Sequence, residues 1–246
     1  MLDQNMPYIE EVTELVSRER SQYLIFVALS IGVLAFTGIL YLSDNLTFQR
    51  FLGQANPLIV FLFAAILGFF LLSFLLSQNW FVIYEKENLK EIIRSATLAA
   101  LLGTVMILVD TKIIFSADTN ILFPKSLLFY PAIAFLVDIL FHVLPLTVLL
   151  LIMNSILRNA GFETVFWICL LIVAFLEPAY QVVNMGSSNH FPGWAVAYIG
   201  IHIFLINIFQ LLIFRQHGFI SMYLFRLVYY SFWHVGWGIL RLELLF

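Results

Sequence analysis

Seven apolar runs follow one another along the chain, at residues 22–42, 57–77, 92–115, 127–153, 162–185, 193–214 and 219–240. Each is close to the roughly 20 residues that a helix needs to cross a bilayer. The connections are short, and Asn56-Pro57, Asn159-Ala160-Gly161 and Gly186-Ser187-Ser188-Asn189 carry turn residues. Pro131 and Pro145 predict a kink or break in the fourth run, and Pro178 a kink in the fifth, just after Glu177. Asp110 and Lys112 near the end of the third run read as interfacial. Before the first run, residues 1–21 are polar, but Ile9, Val12, Leu15 and Val16 recur at helical spacing. A short amphipathic helix over residues 8–20, lying on the membrane surface, is therefore expected. The first apolar run starts too late for a secretory signal, and none is expected. No internal repeat is visible, which argues against the inverted-repeat plan of many transporters.

Composition narrows this pattern to one class. Only 11% of the 246 residues are charged, against about a quarter in a soluble domain. The chain cannot cover a water-facing surface, so the prediction is an all-α polytopic transmembrane bundle of about seven spans. Residues 1–21 form a polar segment and residues 22–246 the membrane domain. A net charge of −3 gives no reason to expect a nucleic-acid partner. The single cysteine, Cys169, rules out an intrachain disulfide and a Cys-based metal cluster. With the N-terminus inside, Arg18, Arg20, Lys86, Lys90, Arg94, Arg158 and Arg215 fall on the inner side, and Arg50, Lys112, Lys125 and Arg241 on the outer. That excess favours N-inside, C-outside, and places the sequon Asn45-Leu46-Thr47 outside.

Ionisable residues inside the apolar runs carry the candidate chemistry. Glu177, Gln181 and Asn184 are spaced i, i+4, i+7, Tyr198 and His202 i, i+4, and Arg226, Tyr230 and His234 i, i+4, i+8. Asp138 and His142 add a fourth i, i+4 stripe. Each set shares one helix face. Counted at 1.5 Å per residue, Glu177, His202, His234 and Asp138 all lie roughly 10–17 Å from the same membrane face. Charged groups in lipid are costly, so they gather inside a bundle and by default serve a function. A carboxylate can take a proton from water, and an imidazole can polarise a carbonyl or hold an oxyanion. The bland alternative is that these groups are hydrogen-bonding glue between helices. Arg226 reads as a partner for Glu177 or Asp138, or as a side chain snorkelling to the interface.

The order of these residues resembles the CPBP family of intramembrane proteases, which includes the CAAX prenyl endopeptidases and bacterial Abi-type proteins. Tyr198-Ile-Gly-Ile-His202 looks like the family's Phe-x-x-x-His, and His234-Val-Gly-Trp-Gly238 like its His-x-x-x-Asn. Leu176-Glu177-Pro178-Ala179-Tyr180-Gln181 falls where Glu-Glu-x-x-x-Arg is expected. The loop Phe214-Arg215-Gln216-His217-Gly218-Phe219 is similar to the family's basic turn into its final helix. The resemblance covers about residues 160–241, inside a CPBP-like core of about 127–241. Leu176, Gln181 and Gly238 depart from the pattern.

The resemblance implies a peptidase in which Glu177 activates water while His202 and His234 support the oxyanion or hold a metal, with Asp138, His142, Gln181, Tyr198, Arg226 and Tyr230 in support. No cofactor is required by the sequence, and a divalent metal is left open. The implied partners are membrane lipid and a membrane-bound peptide or protein substrate. The implied location is a bacterial inner membrane or its equivalent. The departures keep a non-catalytic scaffold as the alternative, with a small proton-coupled transporter third.

Overall fold

The computed structural model describes residues 19–44, 46–86, 89–116, 119–186 and 192–246. The amphipathic segment expected over residues 8–20 lies outside them up to residue 18, as does Asn45 of the sequon. The helices are α1 (Arg20–Ser43), α2 (Gln49–Leu52), α3 (Pro57–Ser77), α4 (Leu89–Ile113), α5 (Ser126–Val137), α6 (Leu144–Ile156), α7 (Phe162–Gly186), α8 (Gly193–Tyr230) and α9 (Trp237–Leu245). Two π-helical stretches, Asp138–Val143 and Ser231–Gly236, join α5 to α6 and α8 to α9. Among the described residues there is no strand.

Among the described residues, six continuous helices are long and apolar enough to cross a membrane, the last being Gly193–Leu245. That one turns back on itself at Gly218, whose φ of 84° and ψ of 176° are non-helical. Gln210, before the break, and Arg226, after it, both reach Asp138. The rings of His202 and Tyr229 lie 6.0 Å apart, whereas a straight helix would separate them by roughly 40 Å. The fold-back restores the seven passes read from the apolar pattern. Only glycine fits the turn, because a Cβ there would meet the Val82 carbonyl oxygen at 2.9 Å. The amides of Phe219 and Ile220 donate to the carbonyls of Val82 and Ile83, pinning the hairpin tip to the loop after α3. Arg215 ties the same end together by donating to the Trp80 carbonyl and to Glu163.

Proline shapes the helices that carry the site. Pro145 has no N–H for the carbonyl four residues back and would crowd it, and the π-helical stretch Asp138–Val143 immediately precedes it. The expected irregularity thus falls on the turn that carries Asp138 and His142. Pro178 likewise leaves the Ala174 carbonyl without its helical donor. Asn207 of α8 supplies one, with Nδ2 donating at 3.2 Å. Asn56 caps α3 by accepting from the Leu58 amide, with Pro57 in the first turn.

Phe26, Phe135 and Phe219 pack ring on ring in the centre, while Leu24, Ile31, Phe63, Phe70 and Phe175 point outward, as lipid contact requires. Gly68 and Gly103 allow close approaches, facing Ile139 and Phe232 respectively.

Asp110 and Arg241 are wholly buried and pair with each other, Arg241 from within α9 and not from a loop.

Candidate functional site

Arg226 is the centre of the polar interior and is 2% exposed, so it does not snorkel. It lies on the second arm of α8 and engages two other segments, the π-helical stretch Asp138–Val143 and α7. Its Nε donates to Asp138 Oδ1 at 2.8 Å. Its two terminal nitrogens grip Glu177, at 3.3 Å to Oε1 and 3.1 Å to Oε2. Nη1 also reaches the Tyr230 hydroxyl at 3.2 Å, and Nη2 lies 3.5 Å from His142 Nδ1. All five N–H groups of the guanidinium are thus occupied. The sequence left Glu177 or Asp138 as its partner; it takes both.

Neighbours extend this cluster. Gln181, one turn beyond Glu177, donates to Glu177 Oε1 at 3.2 Å. Gln210 donates to Asp138 Oδ1 at 3.2 Å. Asn207 lies against both His142 and Glu177. Asn207 and Gln210 escaped the sequence reading although the signal was there, two amides three residues apart in an apolar run. The side chain of Asn184, assigned to the Glu177 stripe, lies outside the described residues.

On the other side of Arg226 is a cavity of about 110 Å³, and Glu177, His202 and His234 all line it, with Gln181, Asn207 and Tyr230. It has room for a few water molecules, each of which takes roughly 30 Å³ in the liquid. His202 is held by ring contacts alone, stacked on Tyr198 with centroids 5.8 Å apart and tilted against Tyr229. Its Nε2 has no hydrogen-bond partner among the described residues, and neither has the Tyr198 hydroxyl. His234 is held on two sides. Its Nδ1 lies 2.7 Å from Asn120 Oδ1, and its ring stacks on Tyr130 at 4.5 Å. With the Asn120 oxygen as acceptor, Nδ1 carries the proton and Nε2 is left as an acceptor; turning the amide over reverses both roles. Asn120 comes from the connection before α5, and its sequence surroundings carry no sign of this contact.

Asp138 and His142 do not line the cavity; they stand behind Arg226. Among the described residues no three His, Cys, Asp or Glu side chains gather as a metal ion would need. Against the lipid-facing side of α7 and the first arm of α8 runs an apolar groove of about 480 Å³, lined by Phe175, Pro178, Val182, Gly200 and Phe204. The α7–α8 pair thus has lipid on one side and the polar cavity on the other.

No family model, curated protein or solved structure matches the chain. It is a multi-pass helical membrane protein on the strength of its own helices.

Proposed function

We propose that the protein is a CPBP-like intramembrane peptidase acting on membrane-associated peptides. The observation that carries this reading is the meeting of Glu177, His202 and His234, from α7, the first arm of α8 and the stretch after α8, around one water-sized cavity. Glu177 accepts a hydrogen bond from the attacking water, His202 donates to the developing oxyanion through its ring N–H, and His234 Nε2 does so in the tautomer in which the Asn120 amide presents its NH2 to Nδ1. Arg226 fixes the carboxylate of Glu177 in place.

Two of the three departures from the family pattern also support the reading, because each is met in space; the third, Leu176 in place of one of the two glutamates, is not. Gln181 stands where an arginine is expected, and Arg226 brings a guanidinium onto Glu177 from another helix. Gly238 stands where an asparagine is expected. A Cβ on Gly238 would lie 3.3 Å from Asn120, whose amide meets His234.

The test is cleavage of membrane-anchored peptides by the protein in vesicles. Wild type should cleave, and Glu177→Gln should lose turnover by about 10²-fold or more while remaining folded. Retained cleavage in that variant would exclude Glu177 as the water-activating group.

One observation favours a second reading, a non-catalytic scaffold of the same fold. Both oxygens of Glu177 are already engaged by the Arg226 guanidinium, and Oε1 also accepts from Gln181. That reading requires no cleavage by wild type and requires that changes at Glu177 reduce stability instead.

A further inference from the structure

Behind Arg226 the charges do not balance. Two buried carboxylates, Asp138 and Glu177, face one guanidinium. Asp138 and His142 are wholly buried, and Glu177 nearly so. An uncompensated negative charge in the middle of a membrane protein is costly, and such a group takes up a compensating charge. The unbonded atoms show where. Asp138 Oδ1 accepts from both Arg226 and Gln210, while Oδ2 has no partner among the described residues. Gln210 Oε1 and Asn207 Oδ1 are also buried and unbonded, and both are acceptors. Their residues pack beside the deficit: Gln210 meets Asp138 through Nε2, and Asn207 lies against His142 and Glu177. Glu177 is not the recipient, because both its oxygens are already held by Arg226.

The geometry points to a binding site for one monovalent positive charge, a proton or an alkali cation, at Asp138 Oδ2 on the π-helical turn Asp138–Val143. A proton there turns Oδ2 into a donor among unsatisfied acceptors, and a sodium ion would take the same oxygens as ligands. His142 is the less suitable carrier. Its Nδ1 lies 3.5 Å from the Arg226 guanidinium, so an imidazolium would stand against a like charge. The groups facing the site are known from each packed element. Glu177 comes from α7, Gln210 and Asn207 from the first arm of α8, and Arg226, Tyr230 and Tyr223 from its second arm. From α3, Gly68 faces the turn at Ile139, and no titratable residue occurs along that helix. A π-helical turn is a frequent location for such sites, because it widens the helix and frees backbone groups.

The experiment is infrared spectroscopy and thermal unfolding of the full chain, in a detergent without ester carbonyls and in sodium-free buffer. The proton arm expects a carboxylic-acid C=O band at neutral pH that is present in wild type and Glu177→Gln and lost in Asp138→Asn. Wild-type Tm then falls as pH rises and the buried proton is removed, while Tm of Asp138→Asn stays level. The alkali arm expects no such band, and a rise in wild-type Tm with sodium chloride but not with N-methylglucamine chloride. Absence of both the band and the sodium response overturns the proposal. So does a band that survives in Asp138→Asn. Absence of both responses in wild type overturns the proposal even if Asp138→Asn fails to fold, and Asp138→Glu, which keeps the carboxyl and shifts its band, then assigns the proton. None of them depends on cleavage, so the site stands or falls apart from the peptidase reading.

Discussion

Among the described residues, two arginine–carboxylate clusters lie buried in this bundle, and they are finished to different degrees. In the first, Arg241 of α9 meets Asp110 of α4 through Nε at 2.7 Å and Nη2 at 3.2 Å. Asp110 also accepts from the Trp237 indole at 2.6 Å and the Phe115 amide at 2.8 Å. The rest of the guanidinium donates to the carbonyls of Ser116 and Phe115. One cation faces one anion, and both carboxylate oxygens are satisfied. In the second, Arg226 faces two carboxylates, Asp138 Oδ2 is bare, and a cavity adjoins. A saturated pair has no capacity left for a ligand or a reaction. It locks α9 and the end of α4 together. The unsaturated cluster keeps charge, acceptors and space in reserve. Burial of an ion pair is therefore no sign of function by itself; what remains unsatisfied around it is.

The comparison breaks most directly when each arginine is removed. Arg226→Met leaves two carboxylates bare and should cost about 5 kcal/mol, and Arg241→Met about 3–5 kcal/mol, in unfolding from detergent micelles. Adding Asp110→Leu to Arg241→Met should recover part of the loss, though the Trp237 and Phe115 N–H groups still lose their acceptor. Full insensitivity to Arg241→Met would remove the structural role given to the first cluster.

A smaller effect sharpens the other side. His202 Nε2 makes no hydrogen bond among the described residues, so His202→Phe should change stability by less than about 1.5 kcal/mol, as a swap between rings held by ring contacts. Turnover by the same variant should be lost. A large fall in stability would make His202 part of the frame instead.

The smallest effect belongs to a pair at the surface, the control for both. Lys125 Nζ lies 2.6 Å from Asp44 Oδ2, with both side chains in contact with water. Hydrogen bonds from Lys125, then Thr47 and the Leu46 amide, bring the Asp44 carboxyl down to about 2. Its contribution is therefore present above the ordinary carboxylate range and is lost as pH falls toward 2. Lys125→Ala should move the Asp44 titration, followed by NMR, back up and leave Tm at neutral pH nearly unchanged.

Much of this was legible in the chain. Apolar runs of spanning length are local properties, and every one of them became a helical pass. Gly218, between two such runs, marked the hairpin. Glu177, His202 and His234 were legible as a set because alternating helix directions bring residues at similar counts from a helix end to one depth. Arg241 was read as a loop charge because it follows the last apolar run, and its pairing with Asp110 left no local sign. Asn120 carried no signal at all.

The sequence alone settled the class of the molecule. A bilayer selects for length and apolarity one segment at a time, and both are written in consecutive residues. Which buried groups meet was decided only by tertiary structure. The Arg226–Glu177, Arg226–Asp138 and Arg241–Asp110 contacts join positions 49, 88 and 131 residues apart. Helical periodicity puts a side chain on a face and at a depth, but the rotation and packing of seven passes decide its partner. The sum of charges inside a cluster, and so the bare oxygen of Asp138, exists only once those partners are in place.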